Sequence, residues 1–491
     1  MAMQLSRAAS AVPVEARLLI GGAWVDGPAH AEVRNPAHPD EIVGTIVRGT
    51  PSDVNLAVAA AKAAQPAWAA HGVRERAKAI AKGLEALAED VDERAILYVR
   101  ENGKTLAEAR GEVASLPDRL RVGFEYVDAL AEPRLMDAPT GRTFVSYRPY
   151  GVVVSIVPWN APVNLAFAQV FSALLAGNAV VVKPPETAPL AVIASLKLFA
   201  RDLPPGVVNV VTGLPDEIGD TLTTHPDVGK IVFTGSIRSA RHIGSNAMQT
   251  IKSMLLELGG NDPAIVLEDV DLGEKTMDRM AGMVYGLTGQ VCGAIKRIYV
   301  PESIAGPFAA AFRRAAQKIV VGDGLQPGVT MGPLHTQAGL TRATGYVDDA
   351  RARGATVDLV GTIADRAVFE RGYFMQPSIV TDIAADAPLV LEEQFCPSVP
   401  IVTYRDLDEA FTHANETVYG LCGSVWGGNL ERALALANRI DSGTIWVNTH
   451  GMVNRRAPFG GVKQSGIGVR GGLDGVLEYV QPQTVTTFEQ S

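Results

Sequence analysis

Apolar positions along this chain follow two rhythms that replace one another. Between 53 and 131 the spacing is helical: Leu56, Ala59, Ala60, Ala63 and Ala67, then Ile80, Leu84 and Leu87, fall three and four apart, which lines one face of a helix. Pro66 interrupts the first stretch and is expected to kink or end it, because it lacks an N–H and crowds the preceding turn. From 151 to 236 short β-branched runs (152–157, 179–182, 207–211, 230–233) alternate with helical stretches. Runs apolar on both faces predict a parallel sheet covered by helices. A second such series spans 260–456, with runs at 264–266, 298–300, 399–402 and 444–447. Two parallel-sheet regions imply two α/β units meeting at a cleft, where ligands favour the carboxyl ends of strands. The stretches 132–148 and 480–489 alternate like exposed strands.

Composition narrows the class. At 491 residues the chain is too long for one core, and length suggests roughly three domains. A hydrophobic content of 47% with 20% charged residues fits an ordinary globular enzyme. The net charge of −9 and the absence of a Lys/Arg cluster argue against a nucleic-acid surface. Cys292, Cys396 and Cys422 cannot form a paired framework, which points to a reducing, cytoplasmic setting. Residues 1–18 lack a signal-peptide core and are expected to be an extension, with Arg7, Ser6 and Ser10 only faintly like a transit peptide. The apolar region 151–182 is broken by Pro158, Trp159, Asn160, Asn164, Gln169, Gly177 and Asn178, so no membrane span is expected. The eight histidines show no metal spacing, and no metal is expected.

The chemistry centres on Cys292 in the run GQVCGAIKR, 289–297. Small, turn-forming neighbours leave a thiol open to a substrate carbon, although a free cysteine is more often a buried small hydrophobe. Glu257 precedes a glycine pair, Gly259-Gly260, and apolar neighbours Leu255, Leu256 and Leu258 are expected to raise its pKa by burial. A thiol with a nearby carboxylate suits capture of a carbonyl followed by hydrolysis. Asp262, in a proline-linked turn, is expected to be structural. Asn160 follows Pro158-Trp159 at the end of a valine-rich strand; its amide is either an oxyanion donor, with the Cys292 N–H as second donor, or a helix cap. Gly235-Ser236 closes a strand and opens a helix, a place for a pyrophosphate. Gly466-x-Gly468-x-x-Gly471 matches a dinucleotide pattern but lies too near the chain end to open a βαβ unit. Gly103-Lys104-Thr105 resembles half a phosphate loop, yet Tyr98 stands where a glycine is needed; it reads as a helix-associated turn.

These fragments, with Gly21-Gly22, GVVVSIVPWN (151–160), KPPE (183–186), 209–213, HPDVGKIVFTGS (225–236), EEQF (392–395) and PFGGVKQSGIG (458–468), resemble the signatures of the aldehyde dehydrogenase superfamily, in that family's order. The resemblance implies a Rossmann-like cofactor domain (1–130 and 150–259), a catalytic domain (260–459) and a small β oligomerisation element (131–149 and 478–491), in a homodimer or homotetramer. It implies Cys292 as nucleophile, Glu257 as deacylating base and Asn160 as oxyanion donor. Ile156, Pro158, Trp159, Lys183, Glu186, Gly235, Ser236, Glu393 and Phe395 are implied as cofactor contacts. Lys183 and Glu186 correspond to the pair at the adenine ribose. A carboxylate at Glu186 favours NAD, with NADP weaker, since a 2′-phosphate meets like charge. Ala161, Asn164, Ala168, Gly293, Val453 and Phe459 are implied around the substrate tunnel.

Several of those tunnel positions are small, which suggests a bulky apolar, aromatic or branched aldehyde oxidised irreversibly to the carboxylate. The alternatives are a semialdehyde anchored by Arg455 and Arg456, a CoA-acylating relative, and a catalytically idle dinucleotide-binding protein. Glu257 argues against the second, and the three catalytic residues together argue against the third. Pro215, Ile237, Ala240, Cys396 and the pair Val469-Arg470 depart from the family's usual residues. They are expected to alter cofactor affinity and loop shape rather than the chemistry.

Overall fold

The computed structural model describes residues 13–138 and 141–488; the opening extension lies partly outside them, at 1–12. The valine-rich runs form the centre of an eight-stranded sheet ordered Gly466–Ile467, Ser253–Glu257, Val228–Thr234, Val152–Ile156, Ala179–Lys183, Val208–Val210, Leu18–Ile20, Ala23–Val25. Its five middle strands are parallel, and Val153, Val154 and Val180 to Val182 are fully buried, as strands covered on both faces require. One layer comprises the helices Gly72–Ala86, Val91–Asn102, Pro162–Leu175 and Leu190–Phe199, around Leu84, Tyr98, Phe167 and Phe199. The other includes Pro51–Ala70 and Ile237–Met248, around Val54, Val58, Ile231 and Ile243.

The second α/β unit is a seven-stranded sheet ordered Thr356–Leu359, Ser378–Thr381, Ser398–Tyr404, Ile295–Pro301, Asp262–Val266, Cys422–Trp426, Thr444–Val447. Only the first pairing is antiparallel. Glu257 ends a strand of the first sheet and Asp262 begins one of the second, so the glycine pair between them is the crossing. The chain returns to the first sheet at Gly466–Ile467, antiparallel to Leu256 and Glu257. A third sheet, Val480–Thr486 with Gly141–Pro149 and Arg134–Ala138, stands where exposed strands are expected; Leu135, Met136 and Val485 are exposed on it.

One expectation changes in part. The helix Pro51–Ala70 does not end at Pro66. Pro66 lies near its C-terminus on an exposed face, and the carbonyl it leaves unpaired, that of exposed Lys62, can turn to water. The sequence also gives no warning of the strands Val14–Ala16, His30–Asn35 and His38–Val47, which form a separate small sheet. Gly103, with φ +90°, ends the helix Val91–Asn102, and Thr105 caps the next one: the expected turn.

Candidate active site

The cysteine loop is shaped by its approach. After the helix Glu274–Tyr285 the chain turns tightly through Gly286–Gly289, with Leu287 and Thr288 left-handed. Gly289 (φ +71°) admits no side chain, because a Cβ there would lie 2.3 Å from the Cys396 carbonyl oxygen. The loop is then held from within: Lys296 Nζ donates to the carbonyls of Val291 and Cys292, at 2.8 and 2.5 Å. The Gln290 side chain accepts from the His335 N–H at 3.0 Å. Cys292 is half-buried against Leu421, Cys422, Trp446 and Phe459. That burial pushes its thiol up, while the charges of Lys296 and Arg470 pull the other way.

Asn160 reaches this loop from the first sheet. Its amide donates to the Gln290 carbonyl at 3.0 Å. The following helix, Pro162–Leu175, has Ala161 at its N-cap, so Asn160 is not the cap. Beside it, Trp159 stacks on His335 with ring centres 4.5 Å apart, and its carbonyl accepts from Asn102 at 2.7 Å. Glu257, 7% exposed, is held above the usual carboxylate range by burial, opposed by Arg470 and by the Thr234 hydroxyl. Arg470 Nε lies 2.8 Å from Glu257 Oε1. Asp262 opens a strand rather than a turn and accepts the Cys422 N–H at 3.1 Å, which fits the structural part expected of it.

The cofactor candidates gather at the carboxyl ends of the first sheet and across the cleft. Lys183 ends its strand, buried, with Nζ donating to the Pro184 carbonyl and to Glu186 at 3.2 and 3.3 Å. Burial lowers its pKa and Glu186 opposes this. Ile156 and Pro158 sit at the end of the adjacent strand. The Gly235 N–H donates to the Glu257 carbonyl at 3.0 Å, and Ser236 caps the helix Ile237–Met248. Glu393 is clasped by the Gly260 N–H at 3.0 Å with Lys296 at 3.7 Å, and burial raises its pKa. Its carboxylate occupies the space beside Gly259, where a Cβ would come within 2.2 Å of it. Phe395 meets Trp159 edge-on at 5.7 Å. The donor set fits a nicotinamide dinucleotide: a helix start with free N–H groups for the pyrophosphate, and two carboxylates with acceptor capacity for ribose hydroxyls.

A cavity of about 650 Å³ opens beside Glu257. Ala161, Asn164, Ala168, Val453 and Phe459 line it, as do Leu120, Tyr126, Phe171, Arg119, Arg455 and Arg470. Gly293, like its neighbour Cys292, is not among the residues lining this cavity, and a side chain there would meet Cys422 and Asp262. A glycine's direction is set by the backbone of the loop, which no motif reveals. Arg455 and Arg456 also separate. Arg456 is exposed and ion-paired with Glu125 at 2.5 Å, whereas Arg455 faces the cavity, half-buried, with burial and its neighbours Arg119 and Arg470 lowering it to about 10. Sequence reasoning missed Arg119, Gln169 and Lys296. Lys296 lay within the cysteine motif, and Arg470 was visible only as a departure from the family pattern.

The sequence model of the aldehyde dehydrogenase family matches residues 24–485. The chain is 34% identical over 476 residues to the NADP(+)-dependent succinate-semialdehyde dehydrogenase of Escherichia coli (strain K12), covering 94% of this chain and 96% of that one. It is also 34% identical to a glutarate-semialdehyde dehydrogenase of Pseudomonas aeruginosa, over 94% and 95% of the two chains. Among solved structures, betaine aldehyde dehydrogenase from Staphylococcus aureus in complex with NAD+ superposes with a TM-score of 0.92 at 30% identity, covering 99% of this chain and 97% of that one.

Proposed function

The chain belongs to the aldehyde dehydrogenase family, and from that premise we propose that it oxidises a bulky, mainly apolar aldehyde to its carboxylate, with NAD preferred over NADP. The observation that carries the reaction is that three different elements meet around one cavity: Glu257 lines it, as do Ala161 next to Asn160 and Val291 next to Cys292, and the Asn160 amide is bonded to the cysteine loop at Gln290. Cys292, as thiolate, attacks the aldehyde carbon. The negative charge that develops on oxygen is met by the Asn160 amide and the Cys292 N–H. When bound, the nicotinamide dinucleotide supplies the hydride acceptor that takes this thiohemiacetal to a thioester. Glu257 then removes a proton from water, the hydroxide adds to the thioester carbon, and the thiolate leaves. Lys296 serves that sequence indirectly by fixing the two carbonyls that shape the cysteine loop.

In this reading Lys183 and Glu186 hold the adenine ribose, the Ser236 helix start the pyrophosphate, and Glu393 the nicotinamide ribose. Ile156, Pro158, Trp159 and Phe395 shape the slot for the rings. Glu186, 38% exposed, disfavours a 2′-phosphate by like charge. A cavity of about 650 Å³ walled by Ala161, Ala168, Leu120 and Phe171 supports the large apolar substrate. A second reading is favoured by Arg455. No acid among the described residues pairs with it, so it is free to bind a carboxylate at the far end of the substrate.

The exposed Leu135, Met136, Val485 and Phe488 support assembly through the third sheet into a dimer or tetramer. Among the described residues no helix is long and apolar enough to cross a membrane; three unpaired cysteines support a reducing, cytoplasmic compartment.

Steady NADH formation from a panel of aromatic, branched, short aliphatic and carboxylate-bearing aldehydes tests the substrate reading, and Cys292→Ala tests the mechanism. The variant should bind NAD and form no NADH. Turnover within a few-fold of the parent sinks covalent catalysis, and preference for a short aliphatic aldehyde over every bulky one sinks the large-pocket reading.

A further inference from the structure

Glu257 stands among neutral partners with one exception. On the side of the sheet it meets the Thr234 hydroxyl, which accepts from Gln169 at 3.2 Å; Gln169 in turn accepts from Ser155 at 2.5 Å. Tyr479, from the C-terminal segment, lines the same cavity as Glu257, and the Cys292 thiol is close enough to feel the charge of the carboxylate. Lys230 and Glu478 pair with each other at 3.4 Å. The only cation in contact with the carboxylate, among the described residues, is Arg470 at 2.8 Å.

Arg470 is itself firmly placed. Its backbone exchanges two hydrogen bonds with Phe459, at 2.7 and 2.8 Å. Its guanidinium lies over the Phe459 ring, 4.7 Å from the centre. The neighbouring Val469 N–H donates to Glu478 at 3.3 Å. A guanidinium locked in this way costs little further ordering to hold a carboxylate.

Resting on the reading of Glu257 as the deacylating base, we propose that Arg470 is its positioning residue, keeping the Glu257 carboxylate charged and aimed along the cavity edge toward the thioester. A buried carboxylate without a countercharge takes up a proton, and a protonated Glu257 cannot accept one from water. Arg470 lies at one carboxylate oxygen, Oε1, and the Thr234 hydroxyl also reaches the carboxylate. The sign follows. Arg470 favours the charged form, so removing it makes Glu257 protonate at higher pH, and turnover fails earlier as pH falls.

The test uses the full-length enzyme with NAD and its best aldehyde, comparing Arg470→Gln and Arg470→Lys across pH 5.5–9 (about the span in which these groups titrate). Arg470→Gln should move the acid limb of steady-state turnover up by about one pH unit or more, the effect of an opposite charge at this range. Acyl-enzyme on Cys292 should accumulate at the acid end, visible by intact mass, after a burst of NADH. Arg470→Lys should restore most of the limb, which separates lost charge from lost packing on Phe459. A uniform fall in kcat with an unmoved limb overturns the proposal, and so does a change confined to KM for carboxylate-bearing aldehydes. If Glu257→Gln stalls as acyl-enzyme while the Arg470→Gln limb stays put, only this proposal fails. If Glu257→Gln turns over normally, the reading beneath it fails.

Discussion

Replacing Asn160 by alanine separates two jobs that one amide does. Its Nδ2 donates to the Gln290 carbonyl at 3.0 Å, and that bond uses one of two amide hydrogens. The other is available to the oxyanion. Losing the first removes a loop tether, worth about 0.5–1.5 kcal/mol of stability. Losing the second removes a preorganised donor, worth about 2.7–4 kcal/mol in the transition state, or roughly 10²–10³ in rate. Both acylation and deacylation pass through a tetrahedral oxyanion, so the NADH burst and the steady rate should both fall by that factor, while Tm drops only slightly. Asn160→Asp keeps the shape but places negative charge at the oxyanion, and should be at least as slow as the alanine variant. Stopped-flow NADH fluorescence at saturating NAD reads the burst, and thermal unfolding reads the tether. A burst within about tenfold of the parent, short of the range for a lost donor, would refute the oxyanion role and leave Asn160 as a loop tether alone.

Glu257→Gln should release one burst of NADH and then stall, with the acyl adduct on Cys292 in intact mass; undiminished steady turnover without adduct refutes the base. Ala161→Phe, in the cavity wall, should raise KM for aromatic or long branched aldehydes about tenfold or more, from overpacking worth about 1–3 kcal/mol, and spare short aliphatic ones; an equal effect on all aldehydes counts against the tunnel assignment. Glu186→Ser should narrow the kcat/KM preference for NAD over NADP, and a parent enzyme with no such preference removes the argument from like charge.

The alternation of valine runs with helical stretches located the strands at the centre of both sheets, because strands buried on both faces must be apolar at each position; it passed over the interior strands Ser253–Glu257, Ser378–Thr381 and Cys422–Trp426, whose runs carry serine, glycine or glutamate. The proposed nucleophile and base drew notice by their setting, a thiol among small residues and an acid among leucines, but it was the ordered series of family motifs around them that gave them their proposed roles. What the sequence withheld was long-range or directional. Arg455 and Arg456 are neighbours in the chain, yet one faces the cavity and the other pairs with Glu125 on the surface; only the course of the loop after Met452 decides which. Gly293 belongs to the cysteine motif, and a side chain there would meet Cys422 and Asp262. Arg470 looked like a change in a loop, and becomes the countercharge of Glu257 because Gly466–Ile467 returns to pair beside that strand. Residue type and spacing set which groups can do chemistry. Which of them share a buried space, and therefore one another's charge, is fixed by contacts between segments far apart in sequence.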